Sequence, residues 1–165
     1  MAYPFQKEIQ AAAARHGLDP NLVAAIVSVE SCFQPQAVRY EAKFQKKYID
    51  PHPKYGFLDA KTRTLLSSSL GLMQTMGLVA HEDGLSLLKL EDLFRPEIAL
   101  EYGCKQLKQL IERYWQSPPK RVITNAIAAY NAGTARVGKA GKYVNQGYVD
   151  KVWGKFEEYK KGVIS

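Results

Sequence analysis

Glu30 is the residue whose type and position point most directly to chemistry. Val23, Ile26 and Val27 share one face of a helical segment, and Glu30 falls four residues after Ile26 and seven after Val23. It therefore continues an apolar stripe. A carboxyl group there is partly withdrawn from water. It also lies in a last helical turn, where the helix dipole disfavours negative charge. Both effects favour the protonated form, and a carboxylic acid kept protonated near its working pH can donate a proton to a leaving oxygen. An ion pair with Arg or Lys, or a solvent-facing helix end, fits the same spacing. The three histidines are scattered, and neither Cys32 nor Cys104 has a partner at metal-ligand spacing. No metal and no organic cofactor is expected. Both cysteines stand in apolar surroundings and read as buried thiols.

The elements that must hold Glu30 are helices. Phe5, Ile9, Ala12 and Ala13 form a stripe that stops at Gly17. Asp19 then suits an N-cap and Pro20 a first helical position, with the helix running to about Ser31, before Pro35. Residues 39–67 are basic and aromatic, with prolines on both sides of His52; short helices are expected near 40–48 and 58–66. A third helix is expected to begin near Leu70. Leu100, Cys104, Leu107, Ile111 and Tyr114 mark a long helix over 96–115, ended by Ser117-Pro118-Pro119. Arg121 to Asn131 is apolar nearly all round, which predicts a central helix. A last helix spans about Tyr148 to Lys160. Strand alternation is weak. The fold class is mainly α, a single domain over 1–165 with at most a small β-hairpin.

The chain has 165 residues and a formal net charge of +7. A basic surface attracts polyanions without choosing among them. The basic residues are spread and no recognition motif appears, so nucleic acid is not the expected partner. The first residues lack the apolar run of a secretory signal, and no stretch has the length of a membrane span. A monomer is expected.

Four short motifs occur in order. They are Glu30-Ser31 followed by Pro35 and Ala37, then Gly71-Leu72-Met73-Gln74, then Ala129-Tyr130-Asn131-Ala132-Gly133, then Tyr148-Val149. Together they resemble the lytic transglycosylases, over residues 19–150. The resemblance implies a lysozyme-like α fold with a long saccharide cleft, and one catalytic carboxyl, Glu30. It implies that Met73 and Gln74 line the cleft, that Tyr130 reaches toward the carboxyl, and that Asn131 and Tyr148 shape the site beside Ser31. Each has a plainer role available. Met73 can fill core, Gln74 can cap loop backbone, Tyr130 can pack with its hydroxyl bonded, and Asn131 can end a helix. Family members carry a Ser before the Gly-Leu-Met-Gln block that bonds the catalytic carboxyl. Here the position aligned without gaps is Leu65, and Ser67, Ser68 and Ser69 are the substitutes, with Ser69 nearest the block.

The stretch between Glu30 and Gly71 is longer than usual. The extra piece, about 39–67, is expected to overhang the cleft. Its Tyr40, Phe44, Tyr48, Tyr55 and Phe57 either stack on sugars or pack the piece down.

By resemblance, the substrate is the glycan strand of peptidoglycan, cleaved between N-acetylmuramic acid and N-acetylglucosamine with closure of a 1,6-anhydro ring. A hydrolytic muramidase of the goose-lysozyme kind is the alternative. It needs a second carboxylate to activate water, for which Glu41, Asp50 and Asp59 are available and Glu41 comes first. A surface ion pair with Arg39 or Lys43 is the competing role for Glu41. A non-catalytic glycan-binding or virion module is a third reading. Action in the periplasm or cell wall is expected, with delivery by a phage particle, lysis machinery or specialised secretion, and acidic wall polymers as a further partner.

Overall fold

A computed structural model describes residues 3–138 and 140–162. These fold as two compact units, residues 1–29 with 104–165, and residues 30–103. The mainly α expectation holds.

In the first unit, α1 (Gln6–His16) buries Ile9, Ala12 and Ala13 and ends on Gly17 in the left-handed conformation. α2 (Pro20–Ser31) starts as expected, with Asp19 Oδ1 accepting from the Asn21 N–H at 2.8 Å. Its Leu22 to Val27 are all buried. The long helix, α6 (Pro96–Arg113), begins in the second unit and ends in the first. α7 (Pro119–Ala132) buries Val122 and every residue from Ala126 to Tyr130, which is the near-continuous apolar surface its composition predicts. It packs on α8 (Gln146–Gly162), which buries Val149, Val152 and Tyr159.

The second unit holds a three-stranded antiparallel sheet, β1 (Val38–Tyr40), β2 (Ser68–Leu70) and β3 (Thr75–Met76), with β2 central. The sheet is one strand larger than a hairpin. The helix expected from Leu70 is not there: Leu70 ends β2, and helix resumes only at α5 (Gly77–Glu82). The serines explain the change. At the end of α4 (Ala60–Leu66) the Ser67 hydroxyl donates to Arg63 O and the Ser68 hydroxyl to Thr64 O, at 2.8 and 2.7 Å. Such side-chain bonds to the previous turn compete with helix continuation. Gly71 then turns the chain at φ +72, where a Cβ would lie 1.9 Å from Leu93 O. Only glycine meets both demands.

The long segment is anchored rather than loose. A single α-helical turn, α3 (Ala42–Phe44), widens into a π-turn (Gln45–Ile49), and the Asp50 N–H donates to Gln45 O. The five-residue spacing turns both Phe44 and Ile49 toward a core of Tyr55, Leu66, Leu70, Ala80, Leu85, Leu90 and Leu93. Leu90 and Leu93 come from a 3-10 stretch (Leu87–Phe94). Burying side chains of this size stabilises the unit by about 1.5–3 kcal/mol each.

Candidate active site

Glu30 is half-buried in the last turn of α2, which carries no basic side chain. The helix stops hard behind it. Cys32 and Phe33 both have positive φ, 50 and 60. Two consecutive non-glycine residues in this sparsely populated region are unusual, and such outliers gather at functional sites. Cys32 is an exposed free thiol, which corrects the expectation that it is buried. Ending α2 in a left-handed pair turns it outward, where the apolar neighbours in sequence do not follow. Cys104 is a buried thiol outside any disulfide, as expected.

The Glu-Ser and Gly-Leu-Met-Gln motifs are joined by hydrogen bonds. The buried Ser31 hydroxyl donates to Leu72 O at 2.8 Å. Ala37 O accepts twice, from the Gly71 N–H at 2.9 Å and from Gln74 Nε2 at 3.0 Å. Gln74 Nε2 also donates to Gly71 O at 3.0 Å, and Gln74 itself has φ 49. The chain just past Glu30 is therefore tied to the 71–74 turn at both ends. Gln74 performs the backbone-capping role while remaining half-buried. Met73 is fully buried, and its side chain lies so close to α6 that a Cβ at position 103 would be 2.4 Å from its sulfur. Gly103 is the space that lets Met73 in, a requirement that no local pattern in the sequence announced.

Among the three serines, Ser69 stands apart. Ser67 and Ser68 spend their hydroxyls on α4, whereas the Ser69 side chain has no hydrogen-bond partner among the described residues. It lies opposite Arg39 on β1 and Met76 on β3, almost wholly buried. Directly paired residues share a sheet face. Ser69, Arg39 and Glu41 are thus on one face, and the face of Ser68 is turned to α4. Glu41 extends the ladder, its N–H donating to Ser67 O at 2.9 Å, and its Oε1 accepts from Arg39 Nε at 2.8 Å. The ion-pair role foreseen for Glu41 is formed. Asp50 is bound by Arg63 at 2.8 Å, and Asp59 caps α4 through the Thr62 N–H and hydroxyl.

The aromatics of the long segment divide. Tyr55 is buried and Phe44 packs on the core, while Tyr40, Tyr48 and Phe57 keep 49%, 49% and 77% of their surface exposed.

The remaining motif residues belong to the first unit. Tyr130 is buried near the end of α7. Asn131 is exposed, and its Oδ1 accepts from Asn145 Nδ2 at 3.0 Å. Asn145 Nδ2 also donates to Ala128 O at 3.0 Å, and Asn145 O accepts from the Tyr148 N–H at 2.9 Å. Asn145 therefore fixes the end of α7 to the half-buried Tyr148 at the start of α8. Tyr143, whose hydroxyl donates to Asn125 Oδ1, and Tyr114, whose hydroxyl accepts from the Ala135 N–H, hold the connecting segment. Asn145 and Tyr143 were not singled out from sequence, and Tyr114 was read only as part of the apolar face of its helix, because these partners are 14 to 21 residues away.

Among the described residues no group of His, Cys, Asp or Glu could hold a metal, and no helix is long and apolar enough to cross a membrane. The sequence profile of the transglycosylase SLT domain matches residues 7–152. That span contains Glu30, the 71–74 turn, the end of α7 and the start of α8. The chain belongs to the transglycosylase SLT family, whose members cleave peptidoglycan.

Proposed function

We propose that the chain is a lytic transglycosylase in which Glu30 is first acid and then base. Protonated Glu30 donates to the oxygen between N-acetylmuramic acid and N-acetylglucosamine, and that bond breaks. The acetamido group of the muramic sugar supports the positive charge at its C1. The Glu30 carboxylate then takes the proton from that sugar's C6 hydroxyl, whose oxygen closes the 1,6-anhydro ring. No water is consumed, and Glu30 ends protonated as it began. One group doing both tasks needs a pKa near the working pH.

The observation that carries this reading is the bonded junction behind Glu30. Ser31 to Leu72 and Ala37 to Gly71 and Gln74 fix the helix end that bears the carboxyl. Positioning of this kind is what a single catalytic group requires. Ser69, with a hydroxyl uncommitted to protein, supports a role at the carboxyl or the sugar. Tyr130, Asn131 and Tyr148 contribute to glycan binding in this reading, and Met73 shapes the turn from behind.

The hydrolase reading draws on Glu41 as a base, but its carboxylate is already engaged by Arg39, which favours the water-free course. A glycan-binding module without catalysis has no use for a carboxyl on a fixed, strained helix end. The enzyme acts on the wall, in the periplasm or outside, as a monomer delivered by a phage particle, lysis machinery or specialised secretion. The test is clearing of purified wall suspensions. The parent chain is expected to clear them and a folded Glu30→Gln variant is not; equal clearing by both would refute the assignment.

A further inference from the structure

Residues 39–54 carry Arg39, Lys43, Lys46, Lys47 and Lys54 against Glu41 and Asp50. Both carboxylates are already bound by arginines, Glu41 by Arg39 and Asp50 by Arg63. The four lysines have no ion pair among the described residues. The segment therefore presents a locally uncompensated positive charge.

The fold arranges that charge. Phe44 and Ile49 commit one side of α3 and the π-turn to the core, and Lys43, Lys46 and Lys47 all stay exposed around the rest. A polar chain keeps this stretch in place: the Tyr40 hydroxyl donates to Gln45 Oε1, Gln45 Nε2 donates to Asp50 Oδ1, and Arg63 donates to the same oxygen. The Lys47 ammonium lies 4.9 Å from the Tyr48 ring centre, and its hydrogen bond with the Tyr48 side chain pushes its pKa up. The Lys47 ammonium therefore stays charged at any physiological pH.

We propose that the Lys43–Lys46–Lys47 face is a docking surface for a phosphodiester-linked anionic polymer of the cell wall. The proposal rests on the wall-cleaving function, which brings the chain beside such polymers. Compact ammonium groups on flexible stems read charge density rather than shape, and the nearby arginine forks that would read shape are occupied. One exposed charge is worth little. Several against a regularly charged polymer release its counterions together, and this gives steep salt dependence. The surface holds the enzyme on the wall while the glycan-cleaving residues work.

The test is co-sedimentation in the Glu30→Gln background, so that the walls stay intact. Purified walls are compared before and after acid stripping of their phosphodiester polymer. The variant Lys43→Ala/Lys46→Ala/Lys47→Ala is set against Lys7→Ala/Lys89→Ala/Lys151→Ala, which removes the same charge from exposed positions elsewhere. The first variant is expected to bind unstripped walls roughly tenfold more weakly and the control to bind nearly as the parent does. Parent binding should fall by about tenfold or more over a fourfold rise in salt. On stripped walls all three should bind alike. Equal binding by the parent to stripped and unstripped walls, or equal loss in the control, would overturn the proposal. So would tighter binding to duplex DNA or anionic vesicles through the same lysines. A separate assay with Glu30 restored measures cleavage of stripped walls. Its failure in the otherwise unaltered chain would sink the catalytic reading and leave the binding comparison intact.

Discussion

Two parts of the 30–103 unit use polar residues in opposite ways. At the junction of α2 with the 71–74 turn, the polar groups of Ser31 and Gln74 are turned inward onto Leu72, Ala37 and Gly71 carbonyls. The backbone there is strained at Cys32, Phe33 and Gln74. In residues 39–58 the lysines and three aromatics face water, while Phe44, Ile49, Tyr55 and Leu58 pack into the core. The first arrangement fixes the backbone that follows Glu30. The second leaves its charges in water, where long-range attraction needs charge and not exact placement. The two proposals thus assign catalysis and capture to different stretches of one chain.

The strongest way to break this comparison is at the carboxyl itself. Glu30→Gln keeps the shape and removes the acid, and wall cleavage should fall by about 10²–10⁴-fold with unchanged circular dichroism. Next is the turn. Gly71→Ala forces a Cβ against Leu93 O at a left-handed position, and urea unfolding should show a loss of roughly 3 kcal/mol or more. Ser31→Ala leaves the Leu72 carbonyl without its buried donor. Stability should fall by about 1–2 kcal/mol, and kcat should fall more than KM rises if the bond positions Glu30.

The smallest effect belongs to the exposed part. Asp59 is held below its ordinary value of 3.8, first by the Thr62 hydroxyl and then by the Thr62 N–H. Its lowered folded value means that ionisation favours folding, so this contribution is present above about pH 4 and lost as pH falls through the folded value. Asp59→Asn retains a capping residue, and its melting temperature should approach that of the parent as the pH is lowered through this range.

Much of this was legible in the sequence. Gly17, Asp19-Pro20 and Ser117-Pro118-Pro119 mark helix ends through local backbone preferences, which a short window contains. The half-buried position of Glu30 in the last turn of α2 was legible because a carboxyl interrupted a helical apolar stripe. The strand at Ser68–Leu70 was not legible, since Ser67 and Ser68 end the helix only through bonds to Arg63 and Thr64, and the strand forms only by pairing with Val38–Tyr40. Gly103 and Asn145 were invisible for the same reason: their roles depend on Met73 and on Ala128 and Asn131, brought near by tertiary structure. The exposure of Cys32 followed from a backbone turn that its neighbours' hydropathy does not encode.

The central claim is that Glu30 completes the reaction with the sugar's own hydroxyl. It is tested most directly by digesting purified walls in water enriched in oxygen-18 and weighing the muramic ends of the products. The account predicts unlabelled 1,6-anhydro ends, lighter by one water than a reducing end. Reducing muramic ends carrying the heavy oxygen would contradict it and would return Glu41 to the place of a water-activating base.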